Sequence, residues 1–190
     1  MLTKSKLLLA LALTAATVSA VGAADVKFYG SGAERQAADA LHGRPAFELE
    51  DVTWVQGGPV KLKDLKGKVV LLDFWAQWCG PCLKALPAVQ ELEHKYGGKG
   101  LVVIGIHSGR GSDELPRFLK ERKIKNPVAI EGPSKSNEKR YGTTGYPTFT
   151  FIGRDGKIRY ADVLPDSLDA AAGNLLAESA PVAVKPRSAR

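Results

Sequence analysis

The sequence predicts an α/β fold, a mixed β-sheet flanked by helices on both faces. Three observations carry that prediction. Val69-Val70-Leu71-Leu72-Asp73-Phe74-Trp75 and Leu101-Val102-Val103-Ile104-Gly105-Ile106 are near-continuous apolar runs, the pattern of strands covered on both faces. The stretch between them is long enough for a crossover helix, which makes a parallel β-α-β unit. Further on, Thr148-Phe149-Thr150-Phe151-Ile152 and a run at 158–163 flank the hairpin turn Arg154-Asp155-Gly156-Lys157, adding an antiparallel pair. With 190 residues, 44% hydrophobic and 25% charged, the chain can build one ordinary domain with a proper core.

Taken in order, residues 1–24 read as a secretory signal peptide. Lys4 and Lys6 precede an apolar run from Leu7 to about Ala16, too short to span a bilayer comfortably, and small residues follow at candidate cleavage positions. Export implies an oxidising or mixed redox compartment, so the expected localisation is periplasmic or otherwise exported. An uncleaved leader would be the point of membrane contact. Residues 25–44, small and polar-rich, read as a linker with at most one weak turn of helix. The folded domain is expected over 45–180. Ala46-Phe47-Glu48-Leu49-Glu50 and Pro59-Val60-Lys61-Leu62 alternate with period two around Gly57-Gly58, which predicts an added N-terminal β-hairpin. A helix is expected from Pro81, with Leu86, Val89 and Leu92 inward, a kink at Pro87 and a stop at Gly97-Gly98. Ser112 is placed to cap a helix running to about Lys123. Pro127-Val128-Ala129-Ile130 reads as a strand, 136–141 as a short helix and 165–179 as a closing helix. Residues 181–190 hold Lys185, Arg187 and Arg190 and no acid, a basic tail expected to be flexible.

Two cysteines are present, Cys79 and Cys82. They would close so short a loop that a bond between them constrains little of the unfolded chain, so a structural staple explains them poorly. Cys79 falls where a buried strand ends and a helix begins. Free N–H groups and the positive end of the helix dipole favour a thiolate there, and a Cys-X-X-Cys context lowers a thiol pKa from ~8.5 to about 7. The thiolate is the attacking species, so Cys79 is the candidate nucleophile. Cys82, one turn further in and expected to lie deeper, is the candidate resolving thiol. Gly80-Pro81 keeps the turn compact and adds no cation, which favours a reducing pair over a strongly oxidising one. Asp73, the one charge in its strand, is expected to be buried with a raised pKa and to take the proton of Cys82. Trp75 is expected in the core and Trp78 on the surface beside the sulfurs. Tyr146-Pro147 precedes a strand, where an X-Pro bond can be cis and bare backbone groups for an extended peptide.

The run Val70-Leu71-Leu72-Asp73-Phe74-Trp75-Ala76-Gln77-Trp78-Cys79-Gly80-Pro81-Cys82, the kinking Pro87 and Gly145-Tyr146-Pro147-Thr148 resemble the thioredoxin superfamily, and the likeness spans roughly residues 45–179. Two further features resemble its exported TlpA/ResA-type subgroup. One is the added hairpin at 46–62. The other is a segment of about 40 residues before Pro147, enough for a central helix–strand insertion. The resemblance implies a thioredoxin-like fold and a thiol–disulfide oxidoreductase without cofactor. It implies that Cys79 attacks, Cys82 resolves and Pro147 is a cis-proline facing the sulfurs, with Trp78, Gly80, Pro81 and Tyr146 as the surface that meets the substrate. Implied partners are disulfide-containing exported proteins, such as apocytochrome c or copper-site proteins, and a membrane thiol donor. The protein is expected to be a monomer. The subgroup often has Glu three residues after the second Cys; here that position is Ala85, so the proton relay rests on Asp73.

Two rival readings use the same cysteines. A copper- or zinc-binding module would have to recruit histidine, and only His42, His94 and His107 exist. His107 reads better as a strand-end residue with no ligand role, so no metal is expected. A redoxin-type peroxidase would need a peroxidatic cysteine in a Thr/Ser-rich setting with an activating Arg, and none is evident. Haem attachment lacks its histidine, because Leu83 follows Cys82. The formal charge of +7 comes without a basic stripe interleaved with aromatics, which argues against nucleic acid as a partner.

Overall fold

A computed structural model describes residues 23–178. The expected signal peptide, through residue 22, and the basic tail lie outside the described residues. The element order is α1 (Gly32–Asp39), β1 (Val52–Gln56), β2 (Val69–Trp75), α2 (Gly80–Tyr96), β3 (Leu101–His107), α3 (Leu115–Glu121), β4 (Val128–Glu131), α4 (Ser136–Arg140), β5 (Thr148–Ile152), β6 (Ile158–Tyr160) and α5 (Leu168–Ala177). The strands form one mixed sheet of six in the order β1-β4-β3-β2-β5-β6. β2, β3 and β4 run parallel, while β1, β5 and β6 are each antiparallel to the strand they join. This is the predicted α/β architecture, with the two apolar runs at its centre.

Side chains alternate across the sheet, as strand geometry requires. On one face Val69, Leu71 and Val103 meet Ala85, Val89 and Leu92 of α2 and Leu168, Ala172 and Leu175 of α5. On the other, Val70, Leu72, Phe74, Ile104 and Ile106 meet Leu41, Leu62 and Tyr141. The inward stripe of α2 is Cys82-Ala85-Val89-Leu92; Leu86, expected inward, is half-buried.

Three local expectations are corrected. The N-terminal addition is one strand, not a hairpin. Asp51, at φ 51°, and Gly57, at φ 63°, end the extended backbone on either side of β1, and Pro59 has no N–H for a ladder. β1 pairs with β4 instead. Glu48, expected in a strand, turns its carboxylate to the N–H groups of Leu62 and Lys63, at 2.8 and 2.7 Å, and caps a 3-10 turn at Leu62–Leu65. Residues 25–44 are not a bare linker. They carry α1, bury Ala38 and Leu41, and form a bridge between Phe28 and Val163. α3 starts at Leu115 rather than Ser112, with Pro116 in its first turn, where no N–H is missed.

Candidate active site

β2 ends at Trp75 and α2 begins at Gly80, which makes Cys79 the N-cap residue of α2. Its Sγ accepts the N–H of Cys82 at 3.2 Å, one of the donors a helix start leaves free. Pro81 stands in the first turn, where its missing N–H loses nothing. The two sulfurs are joined in a disulfide. Cys79 and Cys82 are 6% and 5% exposed, so the expected difference in depth is absent in the oxidised form. Position distinguishes them: Cys79 caps the helix, while Cys82 lies within it, and both pack with Trp75, Ala76 and Leu115.

Gly80 and Pro81 are exposed beside the sulfurs, and Trp78 is 48% exposed. Facing them, the Tyr146-Pro147 bond is cis, and the carbonyl oxygen of Tyr146 lies 3.6 Å from Cys79 Sγ. The Tyr146 ring stands edge-on to Trp78, with centroids 6.0 Å apart. Trp78 and Cys79 are thus brought together with the sequence-distant Tyr146-Pro147 pair; Cys79 and Pro147 are themselves buried.

Asp73 lies two residues before Trp75, on the same face of β2, opposite Gly105 of β3 and Phe149 of β5. Burial pushes its carboxyl up to about 7. Oδ1 has no hydrogen-bond partner among the described residues. A carboxyl in that state can take up or release a proton near neutral pH. Ala85 is buried among Val69, Leu71 and Phe149, so the position where a glutamate was expected is apolar core.

The structure adds four residues to the site. His107, the last residue of β3, is fully buried, and burial lowers its pKa to about 4. Its Nε2 accepts the N–H of Gln77 at 3.0 Å, which assigns its proton to Nδ1. Gln77 Nε2 donates to the Gly111 carbonyl at 2.6 Å, and Trp78 Nε1 donates to the Arg110 carbonyl at 2.9 Å. The Arg110 guanidinium lies over the Trp78 ring, 5.1 Å from its centroid. Glu138 accepts the hydroxyl of Tyr146; burial, then this bond, raise that hydroxyl to about 12. Parallel register alone would have put His107 beside Trp75. No local pattern announces Arg110 or Glu138. Among the described residues no three His, Cys, Asp or Glu side chains gather into a metal-sized group, and His42 instead places Nδ1 2.8 Å from the Arg159 carbonyl.

A cysteine pair at a helix start, facing an X-Pro segment at one end of a mixed sheet, defines a thioredoxin-like redox protein. The chain belongs to the Redoxin family, whose profile matches residues 39–176. It is 40% identical over 109 residues to thiol-disulfide oxidoreductase ResA of Bacillus thuringiensis subsp. konkukian, a match covering 56% of this chain and 61% of that protein. The chain therefore spans about three-fifths of the length of that relative. Among solved structures, a thiol-disulfide isomerase from Corynebacterium glutamicum superposes with a TM-score of 0.64 at 29% identity, covering 72% of this chain and 99% of that one. The structure assigned as thiol:disulfide interchange protein DsbE from Chlorobium tepidum gives 0.60 at 33% identity, over 72% and 96%. No helix of the described residues is long and apolar enough to cross a membrane.

Proposed function

We propose that the chain is an exported thiol–disulfide oxidoreductase that reduces disulfides of periplasmic or otherwise exported proteins. The observation that carries this is the Cys79–Cys82 bond at the start of α2, beside the Tyr146 carbonyl. In the reduced protein the Cys79 thiolate, favoured by the helix N-terminus, attacks a substrate disulfide. One substrate sulfur leaves as thiolate, and a mixed disulfide forms on Cys79. Asp73, as carboxylate, takes the proton of Cys82. The Cys82 thiolate attacks Cys79 Sγ, the second substrate sulfur leaves, and the Cys79–Cys82 disulfide remains. A thiol donor at the membrane restores the dithiol. Trp78, Gly80, Pro81 and Tyr146 receive the peptide, and the chain acts as a monomer with no cofactor.

Cys82→Ser removes the resolving sulfur, so the variant should accumulate a mixed disulfide on Cys79 in an extract of exported proteins, visible on non-reducing gels. Absence of any trapped partner would count against the reading. The wild-type potential should fall near ~−270 mV; a value near about −120 mV would make the protein an oxidant. Peroxide consumption with a thiol donor, or tight stoichiometric copper binding without disulfide reduction, would favour the two rival readings.

A further inference from the structure

The reductase reading leaves the substrate unspecified, and the loop between β3 and α3 bears on it. That loop is clasped to the redox site at three points. Gln77 and Trp78 each donate a side-chain hydrogen bond to it, at 2.6 and 2.9 Å, and the Arg110 guanidinium covers the Trp78 ring. Gly111, at φ 71°, lies so close to the ring that a Cβ there would be 3.2 Å from Trp78 Cδ1. The clasp fixes one exposed cation beside the exposed tryptophan that neighbours Cys79.

Arg110 also borders a groove of about 430 Å³ walled by Ser108, Ile130, Pro133 and Lys135. The acids of that groove are already engaged. Glu131 accepts two bonds from Asn137, each 2.9 Å, and Glu138 accepts the Tyr146 hydroxyl and lies 3.6 Å from Lys135 Nζ. Glu114, further along the loop, faces Arg117 at 3.8 Å. Among the described residues no carboxylate pairs with Arg110.

We propose that Arg110 is a specificity residue, and that the preferred substrate is a disulfide-bearing peptide with an acidic side chain next to its reactive cysteine. Resting on the reductase reading, this assigns that site a substrate class. The peptide backbone passes the Tyr146 carbonyl, its sulfur meets Cys79, and its carboxylate reaches across Trp78 to the guanidinium. The pair forms at a solvent-exposed rim, so its contribution is modest and salt-sensitive.

The test uses the reduced full chain and two synthetic disulfide peptides that differ only in Glu or Gln beside one cysteine. Wild type should reduce the Glu peptide with about threefold higher kcat/KM at low salt, and the ratio should approach one at high salt. Arg110→Gln should bring the ratio to about one at all salt concentrations, Arg110→Lys should retain part of the preference, and Arg110→Glu should reverse it. Reduction of both peptides at equal rates by wild type, or an unchanged ratio in Arg110→Gln, would overturn the assignment to Arg110. Reduction of neither peptide would instead overturn the reductase reading on which it rests.

Discussion

Asp73 and His107 lie on one face of neighbouring strands, offset by two positions, and burial acts on them in opposite directions. The folded chain holds a proton on Asp73 up to about pH 7, whereas the unfolded chain releases it near 3.8. The stability this supplies is whole below the lower value and is lost as pH rises through the window. His107 is the reverse: the unfolded chain takes up a proton near 6.5 and the folded chain near 4, so stability is lost as pH falls through that window. The effects are about 4 kcal/mol for Asp73 and about 3 kcal/mol for His107, and between about pH 4 and 6.5 they oppose. The summed contribution of these two groups to the unfolding free energy should therefore be nearly flat there in the wild type. Asp73→Asn removes one limb. Relative to the wild type its stability should climb by roughly 3 kcal/mol from pH 4 to 6.5 and exceed that of the wild type by about 4 kcal/mol at pH 8. Urea denaturation of the oxidised protein at these pH values checks it; a variant less stable than wild type at pH 8 would show that the carboxylate is not a strained charge. In turnover, the same variant should slow release of the mixed disulfide more than its formation. The midpoint near 7 in the pH dependence of release should be lost, leaving a dependence set by the Cys82 thiol alone.

Gly105 shows how one element constrains another. A Cβ on it would lie 2.9 Å from Trp75 Nε1 and 3.3 Å from Val128 Cγ2. Trp75 is itself wedged between His107, at 5.0 Å, and Phe118, at 5.8 Å, so it has little room to retreat. Gly105→Ala should cost ~1–3 kcal/mol by overpacking, read as a lower urea midpoint, and an unchanged midpoint would mean the indole can shift freely. The elements were legible where periodicity and burial coincide. β2 and β3 are covered on both faces, and their runs said so. At residues 46–50 the two part company. Phe47 and Leu49 alternate because they pack onto the cluster of Leu62 and Tyr141, not because their backbone pairs with a strand. In α2 the expected inward residues Val89 and Leu92 are buried and only Leu86 is not; the stripe is completed by Ala85 and Cys82, whose small side chains give no strong apolar signal. Asp73, Trp78, Cys79 and Cys82 could be read because they adjoin in the chain. His107, Arg110 and Glu138 reach the site from β3, the loop after it and α4, and only the assembled sheet brings them there.

At the scale of the molecule, the segment before Ala46 closes an edge. β6 is short and terminal in the sheet, with unpaired backbone that invites association. Residues 24–45 cover it. Gly43 donates to the Ile158 carbonyl at 2.8 Å, Ile158 donates to the Arg44 carbonyl at 2.9 Å, and Pro45 bridges Lys157. Further along, Tyr29 donates to Asp162 and Leu164 to Lys27, both at 2.9 Å, and Ala24 is bonded in both directions to Asn174 of α5, at 2.9 and 2.8 Å. Leu41 and Ala38 complete the core over Phe74 and Tyr141. If this stretch were a linker, a chain starting at Pro45 would unfold at the same urea concentration as the longer one. The buried side chains and paired edge predict otherwise. Losing Leu41, Ala38 and the edge bonds should cost roughly 3–5 kcal/mol and lower the midpoint accordingly. The uncovered β6 should also make the shortened chain self-associate with rising concentration, which sedimentation velocity would detect. An unchanged midpoint with a concentration-independent sedimentation coefficient would return residues 25–44 to the status of a tether.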